Sequence, residues 1–120
     1  STHGPEARGY GVVMVTDLNA LVDKLQAEAA EHPRGRAAHM IIGGDRMRVT
    51  VMALRADQAL GEHEAPPAAT LQVLRGEAKL HAAADTIDLK EGEISEIPQV
   101  RHDLVAVTDT VVLLSASLAV

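Results

Sequence analysis

Apolar positions in this chain recur at three- and four-residue steps near the start and at two-residue steps after residue 35. Leu18, Leu21, Val22, Leu25 and Ala29 make up the first pattern. At 3.6 residues per turn these positions share one face, so a helix is predicted over about 17–31. Thr16 or Asp17 supplies its N-cap, and Pro33 with Gly35 stops it. Such an amphipathic helix must lay its stripe against the outside of a sheet or against a partner subunit.

Beyond Gly35 the period is that of strands. Met40-Ile41-Ile42 leads into Gly43-Gly44-Asp45, a tight turn, after which Met47, Val49, Val51 and Ala53 alternate with Arg46, Arg48, Thr50 and Met52. Further strands are predicted over 69–75, 77–82, 85–89, 93–97, 102–108 and 110–118, with Gly76, Ala84-Asp85, Glu91-Gly92, Pro98 and Thr108-Asp109 between them. Short strands with a turn signal after each indicate an all-β sandwich or barrel. Residues 1–10, punctuated by Gly4-Pro5 and Gly9, are predicted to be a flexible N-terminal arm, and 11–120 a single domain with its barrel over about 37–118.

Composition narrows the partners. A net charge of −6 opposes binding to a phosphate backbone, and Tyr10 is the only aromatic side chain, so no platform for stacked bases exists. No apolar run approaches the length of a membrane span, and the polar start Ser1-Thr2-His3-Gly4-Pro5-Glu6 lacks the order of a signal peptide. Cysteine is absent, which excludes disulfides and thiolate metal sites and fits a cytoplasmic setting. No G-x-S-x-G elbow and no glycine-rich phosphate loop is present. The core must be built from Val, Leu, Ile, Met and Ala.

Two stretches about 30 residues apart carry the candidate chemistry. One runs from Gly61-Glu62-His63 through Thr70-Leu71-Gln72-Val73-Leu74-Arg75-Gly76; the other is Gly92-Glu93-Ile94-Ser95-Glu96-Ile97-Pro98-Gln99-Val100-Arg101-His102. They resemble the paired motifs of the cupin superfamily, and the resemblance covers roughly residues 40–118. It implies a mainly β fold, a jelly-roll or double-stranded β-helix barrel, here with one N-terminal α-helix. It also implies one divalent transition metal (Zn, Ni, Fe or Mn) bound by His63 and His102, the two motif histidines that survive. The remaining two metal-ligand positions fall on Ala65, which has no donor atom, and on Thr70.

Alternation predicts that Thr70, Gln72 and Leu74 share the inner face of one strand and His102, Leu104 and Ala106 that of another. His63, Thr70, Gln72 and His102 thus form the expected ligand-binding cluster, with Ala65 opening space beside it. His81 is expected to point outward with Glu77 and Lys79. Arg48 or Arg101, at a pocket mouth, suits a carboxylate by a bidentate pair.

Two functions follow. The loss of ligand positions favours a module that binds a small apolar or carboxylate-bearing molecule without chemistry. The surviving histidines favour a metal-dependent enzyme of oxygenase or isomerase type. Small cupins usually pair as homodimers, and Val111-Val112-Leu113-Leu114 together with the helix stripe offers an apolar surface for such a contact.

Overall fold

The structure is a computed structural model that describes residues 3–63 and 66–118, the side chains of residues 3–8, 62 and 63 excepted. Two strands, β1 (His3–Arg8) and β2 (Gly11–Val15), precede the helix α1 (Leu18–Glu31). Nine more strands follow: β3 (Arg36–Gly43), β4 (Met47–Leu54), β5 (Ala59–His63), β6 (Ala69–Arg75), β7 (Glu77–Ala82), β8 (Asp85–Lys90), β9 (Ile94–Glu96), β10 (His102–Ala106) and β11 (Thr110–Ser117). The later strands follow the turn signals closely. β5 was not anticipated, because Ala59-Leu60-Gly61 carries little β propensity.

The barrel is two facing antiparallel sheets, one ordered β5-β10-β7-β8 and the other β3-β4-β11-β6-β9. Between them lie Leu54, Leu71, Val73, Leu80, Leu89, Leu104, Ala106 and Val112, all buried. Alternation sends the other side chains of the five-stranded sheet outward, where α1 covers them. Leu21, Val22, Leu25 and Ala29 pack there on Val51, Ala53 and Val111. β4 and β11 are therefore covered on both faces along the stretch beneath the helix, which is why the pattern of β11 is nearly continuous in apolar residues.

Asp17 is the N-cap of α1, accepting from the Ala20 backbone N–H at 3.1 Å. At the other end the backbone N–H of His32 bonds to the carbonyls of Glu28 and Ala29, and Gly35 takes a left-handed conformation at φ 64°. The residues expected to supply a dimer surface are instead used within the chain: Val111 and Val112 are fully buried, and the helix stripe is sealed on the sheet.

Residues 3–8 pair with 11–15 as an antiparallel ribbon, with His3 opposite Val15 and Arg8 opposite Gly11. The segment expected as an arm thus has regular pairing of its own. Among the described residues the ribbon forms a separate two-stranded sheet that pairs with neither sheet of the barrel.

Candidate functional site

The space between the sheets is not completely filled. A cavity of about 360 Å³ lies there, walled by Met52, Leu60, Leu71, Leu80, Leu104 and Leu114. Its apolar walls arise from composition: a core without rings, and with Ala116 on the inner face of β11, leaves room that larger residues would occupy. Three polar side chains join the lining, namely Arg48 and Thr50 from β4 and His102 from β10.

β4 places Arg48, Thr50 and Met52 on the barrel face because Val49, Val51 and Ala53 face the helix. Arg48 is exposed at the rim, and among the described residues no carboxylate pairs with it. Thr50 is half-buried one alternation deeper. His102 shares its face with Leu104 and Ala106, as alternation predicted, and its ring Nδ1 lies 3.0 Å from the carbonyl oxygen of Val100. A carbonyl only accepts, so Nδ1 carries a proton and donates to it.

The second stretch is tied to the first through Gln99. Its side-chain amide donates to the carbonyls of Pro66 at 2.8 Å and Pro67 at 2.9 Å. Pro66 lines the cavity, so Gln99 holds part of the mouth. Nothing in the periodicity marks this role, since the contact joins two loops.

The expected cluster divides. His63 lies opposite His102 in the β5–β10 register, so the two motif histidines are backbone partners on neighbouring strands; the His63 ring, Glu64 and Ala65 fall outside the described residues. Thr70 and Gln72 do not line the cavity. The inner face of β6 is Ala69, Leu71 and Val73, while Thr70, Gln72 and Leu74 take the opposite face. Leu74 packs beneath the helix, and Thr70 borders an outer groove with Arg46, Glu96 and Ser115. The alternation carried over from residue 65 fails because the Pro66–Ala68 loop separates β5 from β6, which lie in different sheets.

His81 does point outward, its Nδ1 2.6 Å from Asp103 Oδ1 on the neighbouring strand. Arg75 leaves β6 toward the helix and bonds Asp23 at 2.6 Å and Gln26 at 3.0 Å.

The donors in the cavity bear directly on the metal expectation. Among the described residues no three His, Asp or Glu side chains converge as a metal group, and His102 is the sole imidazole or carboxylate lining the cavity. A divalent cation needs several imidazole or anionic donors, and a guanidinium at the rim opposes it. The described lining fits an anion better than a cation.

No protein-family model and no curated protein sequence matches the chain. Solved structures do. A conserved protein of unknown function from Streptococcus pyogenes superposes with a TM-score of 0.68 at 23% identity, over 74% of this chain and 79% of that one. A cupin-2 domain protein from Shewanella frigidimarina superposes with a TM-score of 0.67 at 16% identity, over 86% of this chain and 94% of that one. Salicylate 1,2-dioxygenase from Pseudaminobacter salicylatoxidans, also solved as adducts with gentisate, gives a TM-score of 0.68 at 21% identity. That match covers 82% of this chain but 33% of the dioxygenase. With its two facing antiparallel sheets, its buried apolar interior and these superpositions, the chain has the cupin fold, a jelly-roll barrel carrying one N-terminal helix.

Proposed function

We propose that this chain is a binding module for a small, largely apolar carboxylic acid. The observation that carries the reading is the barrel cavity itself: an apolar interior of about 360 Å³ with the guanidinium of Arg48 at its rim, where no carboxylate among the described residues pairs with it. Concave apolar pockets with a few convergent polar groups are the usual form of a small-molecule site. Arg48 meets a carboxylate with two parallel N–H donors, Thr50 offers a hydroxyl one alternation deeper, and the His102 imidazole adds a polar group to the wall. The leucines and Met52 take the hydrocarbon body. That the dioxygenase of the same fold is described with gentisate, a hydroxylated aromatic acid, supports trying ligands of that size and charge.

A thermal-shift series with benzoate, salicylate, gentisate and hexanoate, each beside its neutral amide, tests the reading. A ligand that binds the native state must raise apparent stability, by about 2.7 kcal/mol at a hundredfold excess over Kd. Stabilisation by acids, not by amides, and its loss in Arg48→Gln are expected. Equal stabilisation by acid and amide, or none from any acid, refutes it.

The metal-dependent reading draws support from the cross-strand pairing of His63 with His102. Metal analysis of protein purified without chelator decides between the two. Stoichiometric metal that disappears in both His63→Ala and His102→Ala would replace the binding module with a metal centre.

A further inference from the structure

We propose that the ligand of the barrel is a long α,ω-dicarboxylic acid, whose second carboxylate leaves the cavity through the side of the barrel and is held by Arg34 and Arg36. The inference rests on the reading of the cavity as an acid site and names the class of acid. Three observations lead there.

First, the barrel is open along one side. β3 and β5 are outer strands of the two facing sheets, and among the described residues no pairing joins them. A recess of about 630 Å³ lies there, with Met52, Leu54 and Leu60 as its apolar floor. Met52 and Leu60 also wall the interior cavity, so the two spaces adjoin across one layer of side chains. Both side chains are only partly buried. Met52 is unbranched, and its rotatable bonds let it swing aside for a chain of methylenes.

Second, β4 runs from one end of this path to the other. Its inward positions are, in order, Arg48, Thr50, Met52 and Leu54; the first three line the cavity and the last two the recess. From Arg48 to Leu54 the strand covers ~20 Å at its usual rise per residue. A short acid held by Arg48 fills the cavity alone. A longer chain carries its far end past Met52 into the recess.

Third, that far end meets cations. Arg36 pairs with Leu54 in register and lines the recess, while its neighbour Ala37 packs beneath the helix. Arg36 is half-buried, and a guanidinium drawn part-way out of water favours a paired anion. Among the described residues no carboxylate pairs with Arg34 or Arg36. The lining holds one carboxylate, Glu28, against these two guanidiniums, so positive charge is in excess. His32 adds a donor: its Nδ1 accepts from the Arg34 backbone N–H at 3.0 Å, which leaves the proton on Nε2. The backbone between the arginines is pinned on both sides. Gly35 donates to the His32 carbonyl at 2.9 Å, and its own carbonyl accepts from the Arg55 N–H at 2.8 Å. Cations on a fixed backbone lose less freedom when the ligand arrives.

Calorimetric titration of the full chain with dodecanedioate, its monomethyl ester and benzoate tests the proposal. The ester has the reach of the diacid and one charge fewer. Dodecanedioate should bind one to one, and more tightly than the ester by roughly ten- to hundredfold, the worth of a hydrogen bond to a charged group. Arg34→Gln/Arg36→Gln should abolish that advantage, with the affinities for ester and benzoate and the circular-dichroism melt unchanged. Arg48→Gln should weaken all three acids. Equal affinity for diacid and ester overturns the proposal and leaves Arg36 as an inward charge that merely guards the edge of β3; benzoate binding would then keep the acid site itself standing. Two diacids bound per chain overturn it too, since each arginine site would hold its own. If none of the three acids binds, the acid site falls and this inference with it.

Discussion

Gly76, which closes the first of the two motif stretches, should be among the least replaceable residues of this chain, for reasons of geometry alone. It joins β6 of one sheet to β7 of the other, with φ at 85°. A side chain in this left-handed region costs about 1–2 kcal/mol. Space is the larger difficulty. A Cβ at Gly76 would sit 2.3 Å from the Asp109 carbonyl oxygen and 2.8 Å from the hydroxyls of Thr108 and Thr110.

The carbonyl is backbone and cannot rotate away, so the β10–β11 connection must move. Overpacking of this kind costs about 1–3 kcal/mol. The Thr110 hydroxyl is buried and bonds the carbonyls of Glu77 at 2.9 Å and Thr108 at 2.8 Å, so movement there loosens a satisfied buried group. Gly76→Ala should therefore lose about 2–5 kcal/mol, or roughly 8–20 °C of Tm for a domain of this size.

Gly92 separates the two causes. Its φ is 86°, nearly the same, but nothing lies within 4 Å of a Cβ built there. Gly92→Ala should lose only the conformational part, about 1–2 kcal/mol. Circular-dichroism melts and urea titrations of the two variants beside wild type make the comparison, with coincident probes checking two-state behaviour. If Gly76→Ala melts no lower than Gly92→Ala, the close approach of Asp109 does not constrain this turn and the reasoning fails.

Leu25→Ala empties a buried position between α1 and the outer face of the sheet, and should cost about 2–5 kcal/mol in urea titration. Because the helix packs on the face away from the cavity, the same variant should keep its response to carboxylic acids; a lost response would mean that the helix shapes the pocket. Asp17→Ala removes the N-cap that accepts from Ala20, at a cost of about 1 kcal/mol, and Asp17→Ser should recover most of it. Equal melting of the alanine and serine variants would show that the cap contributes nothing.

Local sequence determined a good deal of this protein. The helix from its cap to Pro33, the hairpin at Gly43-Gly44, and strands β6 to β11 follow from period and turn residues, which act over a few positions and need no partner. So does the inward face of β10, where His102, Leu104 and Ala106 alternate without interruption.

Only the tertiary structure decided the rest. The phase of β6 resets across the Pro66–Ala68 loop, so Thr70 and Gln72 leave the interior to Leu71 and Val73. Arg48 and Thr50 reach the cavity because α1 claims the other face of β4, a choice that alternation cannot make when both faces are buried. Gln99 holds Pro66 and Pro67 across 33 and 32 residues of chain, beyond the reach of any local pattern. Periodicity names the two faces of a strand. Which face meets the cavity is settled when sheets and helix pack and one side of each strand is covered.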